Sequence, residues 1–292
     1  MKKTIIPGTI PTPELHQYLL GSVSPRPIAF VSTIDEEGNH NLAPYSFFNA
    51  FSSNPPILVF SSNRRVQDNT TKDTLHNIIS NRECVVNVVS YNIVRQMMIC
   101  SVDYPKEFNE FEQAGLHQDF STMVKPALVR ESPVNMECKV RDIIHLGDKG
   151  GAGHLIICDV ICMHIEEKVL DEKGSIDPHK IDLMGRMGKA YYVRASGAAV
   201  QSMPQSQSLP IIGYPNLPEQ IRNSEILTAN DIATLSGLKA MPTSQQIEEY
   251  CRFHPEVLKF TKNTLHAYAR TLIESKKPEE ALTVLLSADL SS

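Results

Sequence analysis

The stretch 41-NLAPYSFFNAFSSNPPILVFSS-62 decides how this chain is read. Small and hydroxyl residues (Ala43, Ser46, Ala50, Ser52, Ser53) alternate with aromatics (Tyr45, Phe47, Phe48, Phe51), and Pro55-Pro56 halts the segment before an apolar strand over 57–61. A flat, partly polar ring system needs such a surface: backbone close enough to touch its edge, few bulky aliphatics, and aromatics packed around it. Ten residues later, Lys72-Asp73-Thr74 opens an expected helix whose free backbone N–H groups suit a phosphate. On these residues alone, a flavin mononucleotide site and a hydroxyl-rich loop between strands stand about even.

Working outward, a short helix is expected over 12–21, with Thr12 as cap, Pro13 in its first turn and Gly21 at its end. Residues 27–33 read as a strand apolar on both faces, 35–39 as a turn, and 40–43 as the return strand. Further strands are expected at 57–61, 84–89, 137–146, 154–169 and 191–194, with one helix over 73–81. Hairpin-length links with few interposed helices predict a mainly β protein, a closed antiparallel barrel rather than a doubly wound sheet. The polar segment 201–210 (QSMPQSQSLP) reads as a linker. Beyond it, helices are expected at 228–235, 244–251, 256–272 and 278–286, with Leu258, Leu265 and Leu272 forming one apolar stripe. The expected domains are thus 1–200, a barrel, and 201–292, a linker with a helical extension. That extension is expected to pack on the barrel, a partner or, as the favoured case, a second subunit.

A hydrophobic fraction of 41% and a charged fraction of 21% place the chain among ordinary globular proteins. Its net charge of −5 gives no general attraction to nucleic acid or anionic membrane. No apolar run approaches the roughly 20 residues of a membrane helix, and Pro7, Pro11 and Pro13 break any signal-peptide core. The six cysteines lack CxxC spacing, so reduced thiols and a cytoplasmic location are expected.

A strand ending in Ser61 and Ser62, followed by Arg64, Arg65 and Lys72-Asp73-Thr74, can neutralise and hydrogen-bond a phosphate dianion. The glycine-rich 147-GDKGGAG-153 precedes a strand rather than a helix, so it reads as a hairpin turn and not a dinucleotide fingerprint. His154, Cys158, Cys162 and His164 share one strand face, but Cys158 and Cys162 would stand about 13 Å apart on a straight strand, too far for zinc bonds of roughly 2.3 Å. No metal is expected. There is no G-x-S-x-G or HExxH motif, and no catalytic side chain is assigned; a bound cofactor would carry electron transfer without a protein nucleophile.

Several separated motifs stand in one order: SPRPIAFVSTIDEEGNHNLAPYSFFNAFSSNPPILVFSS, KDTLHNI, ECVVNVV, EFNEFEQAGL, VKPALVRESPVNMECKV and GRMGKAYYVR. Over residues 9–194 the chain resembles the flavin reductase-like family of FMN-binding split barrels, to which flavoredoxin-type proteins belong. The resemblance implies a six-stranded split β-barrel with peripheral helices that forms a homodimer with FMN near the interface. It implies an FMN-dependent oxidoreductase taking electrons from NADH or NADPH, or else an FMN electron carrier, serving a small-molecule or redox-protein acceptor. By motif position it puts Ser32 and Thr33 beside the ribityl chain, and Tyr45, Ser46, Phe47 and Asn49 around the ring. Ser61, Ser62, Arg64, Lys72, Asp73 and Thr74 fall at the phosphate, and Arg186 and Tyr192 complete the site from the neighbouring subunit. The helical extension from about residue 202 lies outside the resemblance.

Overall fold

The computed structural model describes residues 1–203 and 209–290, and the central part of the expected linker, 204–208, lies outside them. The chain divides into two compact units, Met1–Gln201 and Ser202–Ser292.

The first unit opens with α1 (Thr12–Ser22) and then lays down β1 (Ala29–Ile34), β2 (His40–Tyr45), β3 (Phe48–Ser53) and β4 (Pro56–Ser61). After α2 (Asp73–Asn81) and β5 (Glu83–Val88) come two short helices, α3 (Val94–Ile99) and α4 (Glu110–Ala114), and a small ribbon of β6 (Gln118–Asp119) with β7 (Leu128–Val129). The long hairpin β8 (Val134–His145) and β9 (His154–Ile165) follows, then β10 (Met184–Arg186) paired with β11 (Tyr192–Arg194). The main sheet is antiparallel throughout, in the order β2-β1-β5-β8-β9-β4-β3.

β2 and β3 are its two edges, yet only Ser46 and Phe47 separate them in sequence. A flat seven-stranded sheet would hold its edges about 29 Å apart at ordinary strand spacing, whereas three virtual bonds reach about 11 Å. The sheet must therefore roll until its edges meet at one end. The edges are not hydrogen-bonded to each other, so the closed barrel expected from strand patterning is corrected to the split one that the resemblance implies, here with seven strands rather than six. Its interior packs Ala29, Val31, Tyr45, Phe60, Val86, Cys138, Ile156 and Cys158 around Leu75 and Ile78 of α2. On the other side of β1, Phe30 joins Leu42, Val94, Met97 and Phe111 beneath α3 and α4. Both faces of β1 are thus covered, which is why its sequence shows no polar alternation.

The second unit contains α5 (Glu219–Arg222), α6 (Ala229–Ser236), α7 (Ser244–Phe253), α8 (Lys262–Glu274) and α9 (Pro278–Leu286) around its own core of Ile221, Leu235, Leu265, Ala269, Leu282 and Val284. The expected helix over 256–272 is broken: Phe260 is extended and Thr261 starts α8 by accepting the Thr264 amide. Leu265 and Leu272 are buried, while Leu258 falls before the helix and is 40% exposed, so the three do not form one stripe. No helix among the described residues is long and apolar enough to cross a membrane.

Candidate functional site

The end of β4 is held in place from two directions. The Ser61 amide donates to the Phe47 carbonyl at 2.8 Å, tying this end to the start of β3, and the Ser62 amide donates to the His154 carbonyl at 3.2 Å. The Ser62 carbonyl in turn accepts the His154 amide (3.2 Å) and the ring Nδ1 (2.8 Å). A carbonyl can only accept, so Nδ1 carries the proton. The glycine-rich turn adds the second direction, with the Arg64 amide donating to Ala152 (2.9 Å) and Gly151 donating to Arg64 (3.0 Å). A Cβ on Gly153 would stand 2.5 Å from Ser61 Oγ, and one on Gly150 would stand 3.0 Å from the carbonyl oxygens of Arg65 and Val66. The turn that reads as a plain hairpin therefore also seats the 61–66 loop.

Around this loop several polar groups are buried without partners. Tyr45 packs its ring against Phe60, with centroids 5.2 Å apart, and the Lys72 ammonium stands 5.6 Å from the Tyr45 centroid. The Tyr45 hydroxyl lies beside those of Ser62 and Thr74 but reaches hydrogen-bond geometry with neither, and Ser62 Oγ is likewise unpaired. Burial pushes the Tyr45 phenol up to about 12, so it stays a donor across physiological pH. Burial also draws the Lys72 ammonium below its ordinary value, an effect that the charge of Asp103 opposes. No carboxylate among the described residues comes within ion-pair distance of Lys72. Arg64 donates Nη1 to the Asn69 carbonyl (2.8 Å) and leaves Nε unpaired. Arg65 is drawn away by a two-pronged bond to Asp103, 3.2 Å from Nε and 2.7 Å from Nη2.

Lys72 occupies the N-cap of α2 and offers no side-chain cap, so the helix begins with uncapped amides beside these groups. Asp73 is the first residue of α2, 3.8 Å from His76. Thr74 is buried and accepts Asn41 Nδ2 at 2.8 Å; Thr33 Oγ1 accepts from Asn41 (3.2 Å) and Asn77 (3.1 Å). Unpaired donors with a desolvated ammonium and open helix amides fit an anion such as a phosphate.

Strand alternation sends the next residues elsewhere. Tyr45 faces the core, while Pro44 and Ser46 line a cleft with Ile28, Met97, Met98, Ser101, Arg186 and Tyr192. The Arg186 guanidinium lies 4.5 Å from the Tyr192 centroid, and the Tyr192 hydroxyl donates to Met98 Sδ at 2.9 Å. A reciprocal backbone pair with Arg26 (2.9 and 2.8 Å) fixes Arg186. Within one chain, then, Arg186 and Tyr192 already meet Ser46. Phe47 lies edge-on to His16 and under Arg26. Asn49 is exposed on edge strand β3, its side-chain Oδ1 accepting the Ala50 amide.

Ser32 stays apart from all of these. It is fully buried and donates to the Ala127 carbonyl at 2.5 Å, whereas its neighbour Thr33 reaches the Asn41–Asn77 group. Nothing in the sequence gave Gly153 or His154 a part in this site, or singled out Asn41, Asn77, or Met97, Met98 and Ser101 on and after α3. Only Gly153-His154, placed where a turn meets a strand, carried a local signal. His154 and Cys158 do not gather with Cys162 and His164. The latter two instead meet Glu137 of β8.

The model of the flavin reductase like domain matches residues 20–184, more than half of the chain. An uncharacterised protein of Aquifex aeolicus is 40% identical over 183 residues, covering 63% of this chain and 91% of its own. Among solved structures, the 2-nitrobenzoate 2-nitroreductase NbaA of Pseudomonas fluorescens superposes with a TM-score of 0.62 at 30% identity, covering 72% of this chain and 100% of that one. Nitrilotriacetate monooxygenase component B from Bacillus cereus gives 0.62 at 28% identity, covering 72% and 99%.

Proposed function

The chain belongs to the flavin reductase like domain family, and from that premise we propose that it is an FMN-dependent oxidoreductase using NADH or NADPH. The observation that carries the reading is the group of unpaired buried donors, Tyr45 and Ser62, beside a Lys72 ammonium without a carboxylate. In this reading Lys72, Ser62, Tyr45, Thr74 and Arg64 hold the phosphate, and the α2 amides complete its shell. One such cluster, with no Rossmann-type pyrophosphate turn, favours FMN over FAD. Ser46, Arg186 and Tyr192 border the ring, and the apolar side chains of Ile28, Met97 and Met98 exclude water from it. A flavin held there would supply two-electron redox chemistry between a nicotinamide donor and an acceptor. The protein's part is to fix the cofactor and leave one ring face open.

The protein acts as a homodimer in this proposal. Tyr45 and Ser46 face opposite sides of one strand, so a single chain does not wall in all the groups named, and edge strand β3 presents Asn49 and a 68% exposed Phe51 to a second copy. The acceptor is a small organic molecule, and the likeness to a nitroreductase makes 2-nitrobenzoate the first to try. The proposed location is the cytoplasm.

Acid extraction and chromatography should release FMN. Stopped-flow mixing of the loaded protein with NADH and with NADPH should bleach the flavin band rapidly with at least one of them. Recovery of FAD alone would refute the choice of FMN, whereas bleaching only after a redox protein is added would refute the reductase reading and indicate an electron carrier.

A further inference from the structure

Glu137 of β8 is completely buried. Its carboxylate accepts the backbone amides of Thr122 (2.8 Å), Met123 (2.6 Å) and Val124 (3.0 Å), and Oε1 also meets His164 Nε2 at 2.6 Å. Cys162 stands directly across the β8–β9 ladder from Glu137, and its Sγ is 3.6 Å from the same His164 Nε2. The ladder carries a bulge here: Glu137 pairs with Cys162 but Cys138 pairs with Val160, leaving Ile161 as the extra residue. Bulges re-aim side chains, and this one accompanies three donor atoms of three chemical kinds within 4.8 Å of one another.

We propose that Glu137, Cys162 and His164 form a binding site for a borderline divalent cation of the Zn²⁺ class, with a fourth position open to water. Thiolate, imidazole and carboxylate together are the donor set of that class. Bonds of about 2.3 Å to sulfur and 2.0 Å to nitrogen at a tetrahedral angle put the two donors about 3.5 Å apart, close to the 3.6 Å between Cys162 Sγ and His164 Nε2. The Glu137–His164 contact is shorter because a proton, rather than a cation, lies between the two atoms. A cation would widen it by about 0.7 Å for bonds near 2.0 Å. The three amides from 122–124 already fix the carboxylate, as outer-shell partners do in metal sites. Cys162 and His164 are partly exposed, which gives an ion its approach. The one-strand geometry argued against a metal here, but the third ligand comes from the neighbouring strand. On binding, the Cys162 thiol gives up its proton to solvent, and the His164 nitrogen that takes the ion carries none.

The test uses full-length, reduced, chelator-treated protein and Co²⁺ as the probe. One equivalent per chain should produce a near-ultraviolet thiolate-to-cobalt charge-transfer band, measured as a difference spectrum and removed by excess Zn²⁺. Cys162→Ser should abolish the band, and His164→Gln, which removes a direct ligand, should weaken Co²⁺ binding by at least the roughly 10- to 100-fold that losing an outer-shell partner costs. Melting curves in chelator establish that both variants fold. Absence of the band at stoichiometric Co²⁺, or its survival in Cys162→Ser, would overturn the site.

Discussion

Replacing Lys72 with methionine separates a phosphate ligand from a structural lysine, because the two roles predict opposite effects on the flavin-free protein. A phosphate contact from an ammonium is a charge-assisted hydrogen bond of about 1.5–3 kcal/mol, so FMN affinity should fall about ten- to 150-fold. Burial holds the Lys72 pKa below 10.5 in the folded chain. Between that lowered value and the unfolded one, the unfolded chain binds more protons, so stability climbs as pH rises through the window. Below it the charged, desolvated ammonium costs stability in full. Methionine removes that cost and puts an apolar side-chain end where the ammonium stood near the Tyr45 ring, so flavin-free Lys72→Met should melt no lower than the parent at neutral pH, and its melting temperature should lose the alkaline rise. Fluorescence titration with FMN and with riboflavin, which lacks the phosphate, measures binding; calorimetric melting of flavin-free protein measures stability. Equal losses of FMN and riboflavin affinity would refute the phosphate assignment. So would unchanged FMN binding with a collapsed melting temperature.

Tyr45→Phe deletes a buried hydroxyl that has no partner in the free protein, so stability should hold or rise while FMN binding weakens by about 0.5–1.5 kcal/mol, two- to thirteen-fold, in the same titration. Gly153→Ala places a methyl 2.5 Å from Ser61 Oγ and should displace the 61–66 loop, costing about 1–3 kcal/mol in thermal or urea unfolding together with a drop in FMN affinity. Cutting the chain after Met203 should leave the sheet folded and able to take up flavin, since every unpaired donor named above lies within Met1–Gln201. Light scattering, circular dichroism and flavin content check it, and loss of flavin from a folded truncated protein would put the helical unit at the site.

What the sequence disclosed follows from how local each determinant is. The helix over 73–81 was legible to the residue because Leu75 and Ile78 repeat at helical spacing behind an acidic first turn. β1 and β4 were legible as short apolar runs. β3 was not, because nearly every residue from Phe48 to Ser53 is exposed and no apolar alternation marks it; pairing with β4 makes it a strand. The gap in the barrel was invisible to strand patterning and came only with the family resemblance, since closure depends on whether two edge strands hydrogen-bond, and neither edge records that in its residues.

The candidate site divides along the same line. Lys72, Thr74 and Ser62 declared themselves through residue type and through their place beside a strand end and a helix start. Whether a hydroxyl remains free, however, depends on partners far along the chain. Ser32 and Ser62 read alike as strand serines, but Ala127, 95 residues away, occupies the first while the second keeps an unpaired Oγ. Arg64 and Arg65 are adjacent, and Asp103 takes one and not the other. The Glu137–Cys162–His164 group is the sharpest instance. The strand arithmetic separating His154, Cys158 and Cys162 was sound, but it treated β9 as straight and alone. A bulge and a carboxylate on the adjacent strand, set by the β8–β9 register, assemble what spacing along one strand cannot. Strand spacing could limit which donors share one strand, but only the register between strands could supply the third.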